Sequence, residues 1–211
     1  MLVSTLLAQL LGIEHGFGTR SSPLSQQGMA SLKQIHSGVC LVVGAAVGDA
    51  GGCLGEGDAL VTNRAEVAVS VRTADCYPVL LADPVTRSIG AVHAGWRGTA
   101  AGVVWEAIAR MRDEFGARPE DLWAAIGPGI GGCCYEVGEE VARELGQTGT
   151  AAGPRRIDLA AINRRQLLEA GLIAERIDSL NLCTFCEAER FHSYRRDKGA
   201  AGRMISYIRL R

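Results

Sequence analysis

Short apolar runs separated by glycine, proline and polar residues dominate the pattern of this chain. Runs rich in aliphatic and β-branched residues, bounded by turn residues, are typical of buried strands. The apolar residues 6–13, followed by the glycine-containing segment 15–20, predict a strand and then a turn. Further strands are predicted at residues 39–47, 67–71, 79–81, 89–93, 122–126, 177–182 and 203–209.

Two segments carry apolar residues at helical spacing instead. Residues 99–115 show this period, and Gly116 is suited to end the helix. Asp158 is a good N-cap for a second helix over 159–170. The five glycines within 48–57 predict a loop.

Strands and helices alternate along the whole sequence without an internal repeat or a long linker. This predicts an α/β fold, with residues 1–211 forming a single domain that has a mixed β-sheet core and flanking helices. A dinucleotide-binding fold is disfavoured, because no early glycine-rich turn is followed by an acidic residue about 20 positions later.

Charge balance and the length of the apolar runs exclude some classes of binding partner. The chain has 22 basic and 23 acidic residues, so it lacks the electrostatic footprint of a protein that binds nucleic acid or an anionic membrane. No apolar run reaches the roughly 18 residues of a membrane span. With no export signal recognised, a cytoplasmic location is expected, where seven cysteines, an odd number, are thiols or ligands rather than disulfides.

Three residues at predicted strand ends have the chemistry of a metal site: His36, Cys76 and His93. Imidazole and thiolate are zinc ligands, and three protein ligands leave a fourth position open. Their separations of 40 and 17 positions match no local zinc motif, so the fold would have to assemble the site. Read separately, a histidine at a strand end is more often a hydrogen-bonded structural residue, and a free cysteine such as Cys76 packs as a small hydrophobe.

A family resemblance rests on segments that occur in a fixed order along nearly the whole chain. The most specific are His-Ala-Gly-Trp-Arg-Gly at 93–98 and the Gly-Pro-x-Ile-Gly motif that runs into Tyr-Glu-Val at 127–137. The others are residues 15–20, 32–36, 57–63, 73–78 and 191–197. Together they resemble the laccase-domain family, whose YfiH-type members are purine nucleoside phosphorylases. Within residues 21–30, however, the chain is short and lacks the Gly-Gly pair usual in that family.

The resemblance implies a YfiH-like fold and a zinc ion held by His36, Cys76 and His93, with copper as a less favoured metal. It also implies phosphorolysis of adenosine, inosine and methylthioadenosine, together with adenosine deamination. The expected partners are therefore a purine nucleoside and inorganic phosphate, for a monomer or homodimer.

Candidate roles for other residues follow from that chemistry. Asp75, beside a ligand, is a candidate acid–base group or a residue that orients the ligands. Arg20, Arg97 and the glycine loop that includes Gly127 and Gly131 are candidates for binding phosphate. Structural roles are the alternatives: Asp75 could be a cap, Arg97 could hydrogen-bond a carbonyl of its own loop, and the glycines could only make a sharp turn. Arg195 and Arg196 are further candidates for contacting phosphate.

Two other enzymatic readings stay open. Cys76 as nucleophile and His93 as base would make an amide hydrolase, acting in this family on a peptidoglycan precursor. A copper-dependent polyphenol oxidase is the other, although four histidines are too few for a multicopper centre, which needs about ten. A non-enzymatic interaction module would leave the three metal-type residues unexplained.

Two further pairs of cysteines lie along the chain. Cys133 and Cys134 could line the pocket as thiols, but they are interpreted as buried small hydrophobes. Cys183 and Cys186 have the spacing of a zinc or redox pair, but no second such pair appears in the sequence, so metal binding there is disfavoured.

Overall fold

The computed structural model describes residues 1–22, 26, 28–44, 51–65, 67–147 and 155–211. Strands and helices are numbered here in chain order. The strands are β1 Ile13–Gly16, β2 Met29–Lys33, β3 Cys40–Val42, β4 Gly52–Glu56, β5 Ala59–Thr62, β6 Ala68–Thr73, β7 Tyr77–Asp83, β8 Ser88–Ala94, β9 Trp123–Ile126, β10 Glu136–Val137, β11 Arg155–Arg156, β12 Ile177–Ser179 and β13 Met204–Leu210. The α-helices are α1 Trp96–Ala100, α2 Val103–Phe115, α3 Glu139–Glu144, α4 Leu159–Glu169 and α5 Tyr194–Asp197.

Two mixed sheets form the centre of the molecule. One has six strands in the order β12-β9-β7-β8-β5-β3, and the other has five in the order β1-β13-β6-β2-β4. Strands β10 and β11 pair separately as a short antiparallel ribbon. Parallel and antiparallel pairs occur in both large sheets, for example β3 with β5 and β5 with β8. The predicted mixed α/β class is therefore confirmed.

The six-stranded sheet is buried on both faces, which explains why its central strands are apolar without alternation. In β7, Leu80 and Ala82 belong to the core shared with the five-stranded sheet. Val79 and Leu81, one position along, belong to the core on the helical side. Successive side chains of a strand point to opposite faces, so both sets must be apolar. The result is three layers: helices, six-stranded sheet and five-stranded sheet.

The predicted helix over 99–115 is divided in two. Gly102 takes a left-handed conformation with φ of 74° between α1 and α2, and Gly116 with φ of 73° ends α2 as predicted. Asp158 caps α4 as predicted, because its carboxylate accepts a hydrogen bond from the Ala161 amide at 2.9 Å.

Several local predictions were wrong. Gly52–Glu56, expected in a loop, is strand β4, whose backbone pairs in parallel with β2 despite its glycines. The strand predicted over 39–47 is reduced to β3, with 45–47 outside the described residues. A 3-10 turn at Leu7–Gln9 precedes β1 in place of the first strand. Strands β2, β5, β10 and β11 and helices α3 and α5 were not predicted, because short elements carry too little periodicity.

Residues 23–25 and 27 of the shortened segment 21–30 also lie outside the described residues. None of the helices that the structure describes is long enough and apolar enough to cross a membrane.

Candidate metal centre and its cavity

The structure brings His36, Cys76 and His93 together. Their candidate ligand atoms all lie within 4.8 Å of one another, and the two imidazole rings are 4.9 Å apart between centroids. The antiparallel register of β7 and β8 pairs Tyr77 with Ala94, which places Cys76, just before β7, beside the end of β8. His36 comes from the turn after β2. The three residues that the sequence singled out therefore form one cluster, and their role as metal ligands stays a prediction.

Asp58 organises this cluster, and sequence reasoning gave it no role. Its carboxylate is fully buried and lies 2.8 Å from His93 Nδ1. It also accepts hydrogen bonds from the backbone amides of Ile35, His36 and Ser37. Because Nδ1 of His93 faces this carboxylate, Nε2 is the ring nitrogen left to bind a ligand. A carboxylate–histidine pair of this kind is typical of metal sites.

The same carboxylate supports an unusual backbone conformation at His36. His36 has φ of 60° and Asp75 has φ of 86°, both in the left-handed region that non-glycine residues rarely occupy. Strained residues persist where surrounding contacts hold them, and they concentrate at functional sites. Here the amide contacts to Asp58 hold the His36 turn.

Electrostatics favour a thiolate at Cys76. Burial raises the pKa of Cys76, but hydrogen bonds with His36 and His93 outweigh it and lower the pKa to about 7. Burial lowers the pKa of His93, whereas its hydrogen bonds with Asp58 and Cys76 raise it to about 9. Burial likewise raises the pKa of Asp58, and its hydrogen bonds with His93 and Ser37 lower it to about 2. The thiolate is the form of cysteine that acts as ligand or nucleophile.

Gly95 permits the close approach of the ligands. A Cβ atom at this position would lie 2.8 Å from Cys76 Sγ and 3.2 Å from His36 Cδ2. Any larger residue would therefore intrude on the space between two candidate ligands. This gives a physical reason for the glycine in the His-Ala-Gly-Trp segment.

The cluster opens into a cavity of about 890 Å³. Two kinds of side chain line its wall beside the three candidate ligands. Cationic residues form one group, namely Arg72, Arg97, Arg195, Lys198 and Arg203, and aromatic residues form the other, namely Trp96, Tyr135 and Tyr194. Guanidinium groups lie over the rings: Arg97 over Trp96 at 4.3 Å and Arg195 over Tyr135 at 5.2 Å. The cavity thus offers positive charge and flat apolar surfaces side by side.

Asp75 lines the cavity, but hydrogen bonds occupy both of its carboxylate oxygens. Oδ1 accepts from the Thr184 hydroxyl at 2.7 Å, and Oδ2 accepts from the Arg195 amide at 2.6 Å. Its backbone carbonyl accepts from the Ile130 amide at 2.8 Å. These contacts tie together three segments of the wall, which favours a positioning role over proton transfer.

Of the sequence-predicted phosphate ligands, Arg97 and Arg195 line the cavity, whereas Arg20, Gly127, Gly131 and Arg196 do not. Arg20 is paired with Asp197, with 3.3 Å between Nη2 and Oδ2. Gly127 packs against Phe17, where a Cβ would approach the ring to 2.2 Å, and its amide donates to the Pro78 carbonyl. The Gly131 amide donates to Cys183 Sγ at 3.2 Å. With these amides engaged, the glycine loop is a packing element and not an open anion nest.

Arg196 also serves the structure, because its guanidinium donates to the carbonyls of Thr184 and Phe185. Arg195 and Tyr135 do line the cavity. Arg195 was a predicted phosphate contact, and Tyr135 belongs to the motif at 127–137. The only sequence signal for Asp58 was its position as the acidic residue of the segment at 57–63. The interpretation of Cys133 as a buried hydrophobe was wrong, since it is exposed, and Cys134 is only partly buried.

Comparison with known proteins places this geometry in a family. Residues 19–211 match the family model described as multi-copper polyphenol oxidoreductase laccase. The chain is 44% identical over 188 residues to a purine nucleoside phosphorylase of Deinococcus radiodurans, covering 86% of this chain and 70% of that protein. It is 36% identical over 163 residues to the purine nucleoside phosphorylase YlmD of Bacillus subtilis, covering 73% of this chain and 59% of that relative.

A solved structure agrees with both sequence matches. The crystal structure of YlmD from Geobacillus stearothermophilus superposes with a TM-score of 0.85 at 28% identity, covering 96% of this chain and 93% of that chain. The match therefore extends over almost the whole of both structures.

Proposed function

The chain belongs to the multi-copper polyphenol oxidoreductase laccase family, and its relatives in that family are named purine nucleoside phosphorylases. We propose that it is a zinc-dependent purine nucleoside phosphorylase. Its proposed substrates are adenosine, inosine and methylthioadenosine with inorganic phosphate, and adenosine deamination is its proposed second activity. Residues 1–211 form the catalytic domain in this proposal. The observation that carries it is the cavity, which combines a three-residue metal-type cluster with cationic and aromatic walls.

The donor set suits zinc better than a copper cluster. Two imidazoles and a thiolate are zinc ligands, and the His93–Asp58 contact at 2.8 Å supplies the usual outer partner. His15 adds no further imidazole to the centre, because its ring accepts a hydrogen bond from the Ser4 amide and does not line the cavity. Among the described lining residues there is also no methionine, the weak axial ligand of blue-copper sites.

Each group of lining residues has a part in phosphorolysis. A phosphate oxygen attacks C1′ of the ribose, the bond from C1′ to the purine nitrogen breaks, and the leaving base takes up the proton that the phosphate gives up. Arg97 and Arg195 bind the phosphate and place it against the sugar. Trp96 and Tyr135 stack on the purine and exclude water from it. Zinc, when bound, supplies a Lewis acid that polarises an oxygen of the substrate.

Product analysis tests the proposal directly. Purified protein is incubated with adenosine with and without phosphate, and adenine, inosine and ribose 1-phosphate are quantified. Adenine release that depends on phosphate is expected, along with inosine formation that does not. Equal adenine release with and without phosphate, or no adenine release at all, would contradict the phosphorylase proposal.

A matched pair of arginine variants tests the anion site. Arg97→Ala removes a cavity cation, whereas Arg20→Ala removes one that is paired with Asp197 outside the cavity lining. Charge-assisted hydrogen bonds contribute about 1.5–3 kcal/mol, so Arg97→Ala is expected to raise KM for phosphate by about tenfold or more. Arg20→Ala is expected to change it little. Equal effects would contradict the placement of phosphate in this cavity.

A second candidate function rests on the hydrogen-bonded pair of Cys76 and His93. A thiolate beside an imidazole is the arrangement of a cysteine hydrolase, which would act on an amide such as a peptidoglycan precursor. This alternative predicts turnover that survives removal of metal and a thioester on Cys76. The phosphorylase proposal predicts that chelation stops turnover and that no acyl-enzyme accumulates.

A further inference from the structure

Four cysteines form a second cluster at the end of β9. Cys133 and Cys134 lie in the loop that follows β9, and Cys183 and Cys186 lie in the segment between β12 and α5. The four sulfur atoms all lie within 4.8 Å of one another. We propose that this four-cysteine cluster is a structural zinc site, separate from the His36, Cys76 and His93 cluster.

The spacing of the sulfurs fits a single metal ion. A tetrahedral zinc with Zn–S bonds of about 2.3 Å holds its sulfur ligands about 3.8 Å apart. Cys186 Sγ lies 3.7 Å from Cys133 Sγ and 3.3 Å from Cys134 Sγ. A disulfide joins only two sulfurs and gives no reason for four to gather round one point. Four sulfur donors in tetrahedral array favour zinc or iron, and zinc is the structural choice.

The backbone around the cluster is already arranged for thiolates. The Gly131 amide donates to Cys183 Sγ at 3.2 Å, and the amides of Phe185 and Cys186 donate to the same sulfur. A Cβ at position 131 would lie 3.2 Å from Cys133 Sγ and 3.3 Å from Cys183 Cβ, so glycine lets the two segments approach. Such N–H donors stabilise the ligands of a metal from outside its coordination shell.

Hydrogen bonds also hold the turn that carries two of the ligands. The Arg196 guanidinium donates to the carbonyls of Thr184 at 2.8 Å and Phe185 at 2.9 Å, between Cys183 and Cys186. Asp197 forms an ion pair with the same guanidinium at 2.8 Å and fixes its position. The turn is therefore held in shape from outside the cluster.

The proposed zinc joins two segments that build the cavity wall. Gly129 and Cys183 form a parallel bridge, and the Thr184 amide donates to the Gly129 carbonyl at 2.9 Å. One residue further on, Ile130 lines the cavity, and the Thr184 hydroxyl holds Asp75. A zinc that closes this junction would hold the wall in position without contacting substrate.

Metal content per chain tests the proposal. Full-length protein is purified with reductant and without chelator, and zinc is measured by mass spectrometry in wild type, Cys186→Ser and Cys53→Ser. Cys53 is an exposed cysteine of β4 outside both clusters and serves as the matched control. Cys186→Ser is expected to lose about one zinc per chain, and Cys53→Ser none. Equal zinc in wild type and Cys186→Ser would overturn the proposal.

A second measurement leaves the four cysteines intact, in case Cys186→Ser does not fold. Cys76→Ala is loaded with Co²⁺, which leaves the four-cysteine cluster as the only sulfur-rich site among the described residues. Intense thiolate-to-cobalt charge transfer with tetrahedral d–d bands is expected. Their absence would overturn the proposal, and so would a disulfide between Cys134 and Cys186 found by alkylating denatured, unreduced protein.

These results are independent of the proposed function. A protein without phosphorylase activity that still shows the cobalt bands would contradict only the proposed function. An active phosphorylase whose zinc content is unchanged by Cys186→Ser would contradict only the four-cysteine site.

Discussion

The two metal-type clusters of this protein differ in how many donors they offer and in what surrounds them. The His36, Cys76 and His93 cluster has three donors of two kinds and opens into a cavity of about 890 Å³. The four-cysteine cluster has a full set of four sulfur donors and is tied to two backbone segments. Three ligands leave a metal open to substrate, whereas four close it. By the number of donors alone, the first cluster is suited to a reactive metal and the second to a structural one.

The groups that hydrogen-bond to the candidate ligands also differ between the two clusters. A buried carboxylate, Asp58, faces the histidine of the open cluster and raises its basicity. Backbone amides donate to Cys183 Sγ in the closed cluster, where they stabilise negative charge on the sulfur. The first environment favours a metal that polarises an oxygen, and the second favours a metal that stays fully coordinated.

The largest expected effect comes from removing a ligand of the open cluster. Cys76→Ala is expected to lower kcat/KM for phosphorolysis by at least about a hundredfold, because the metal loses one of only three protein ligands. Steady-state kinetics on adenosine with phosphate measure it, with Cys53→Ser as the control. If Cys76→Ala keeps wild-type turnover, the open cluster is not the reaction centre, and the contrast between a reactive and a structural cluster is wrong.

Asp58→Asn tests the outer contact of the open cluster. The amide keeps the shape of the side chain but loses the charge that faces His93 Nδ1, so zinc affinity there is expected to fall by about 10- to 100-fold. Competition with a chromophoric chelator measures the affinity of that site. The same assay should show unchanged affinity at the four-cysteine cluster. A fall at both sites would instead mean that Asp58 acts through global stability.

Gly95→Ala tests the space between the ligands with a smaller perturbation. The added Cβ would lie 2.8 Å from Cys76 Sγ, so zinc affinity of the open cluster is expected to fall about tenfold. Gly138→Ala is the matched control, because a Cβ there meets nothing within 4 Å and its φ is −72°. Equal zinc affinity in the two variants would show that the open cluster tolerates crowding.

Chelator kinetics give the smallest and most direct contrast between the clusters. Zinc release from wild-type protein is expected in two phases, the faster from the open cluster and the slower from the closed one. Cys76→Ala should lack the fast phase and keep the slow one. Release in a single phase from wild type would show that the two clusters are equally accessible. That result would contradict the expected difference between three donors that leave a metal open and four that close it.

The sequence by itself determined the elements whose signal is local. Continuous apolar runs identified β7 and β8, because a sheet buried on both faces needs apolar residues at every position. Asp158 and Gly116 marked helix ends through their own chemistry. The sequence also singled out His36, Cys76 and His93 as metal-type residues beside turns, although it did not predict β2, the strand that His36 follows.

Only the tertiary structure decided which distant residues meet. Cys134 and Cys186 are 52 positions apart, and no spacing rule joins an adjacent pair of cysteines to a Cys-x-x-Cys pair. The role of Asp58 depends on a hydrogen bond to a residue 35 positions away. Gly127, expected to bind phosphate, is instead required by the Phe17 ring packed against it. Composition and periodicity report on a residue and its chain neighbours, whereas these roles depend on contacts that exist only once the sheets have packed.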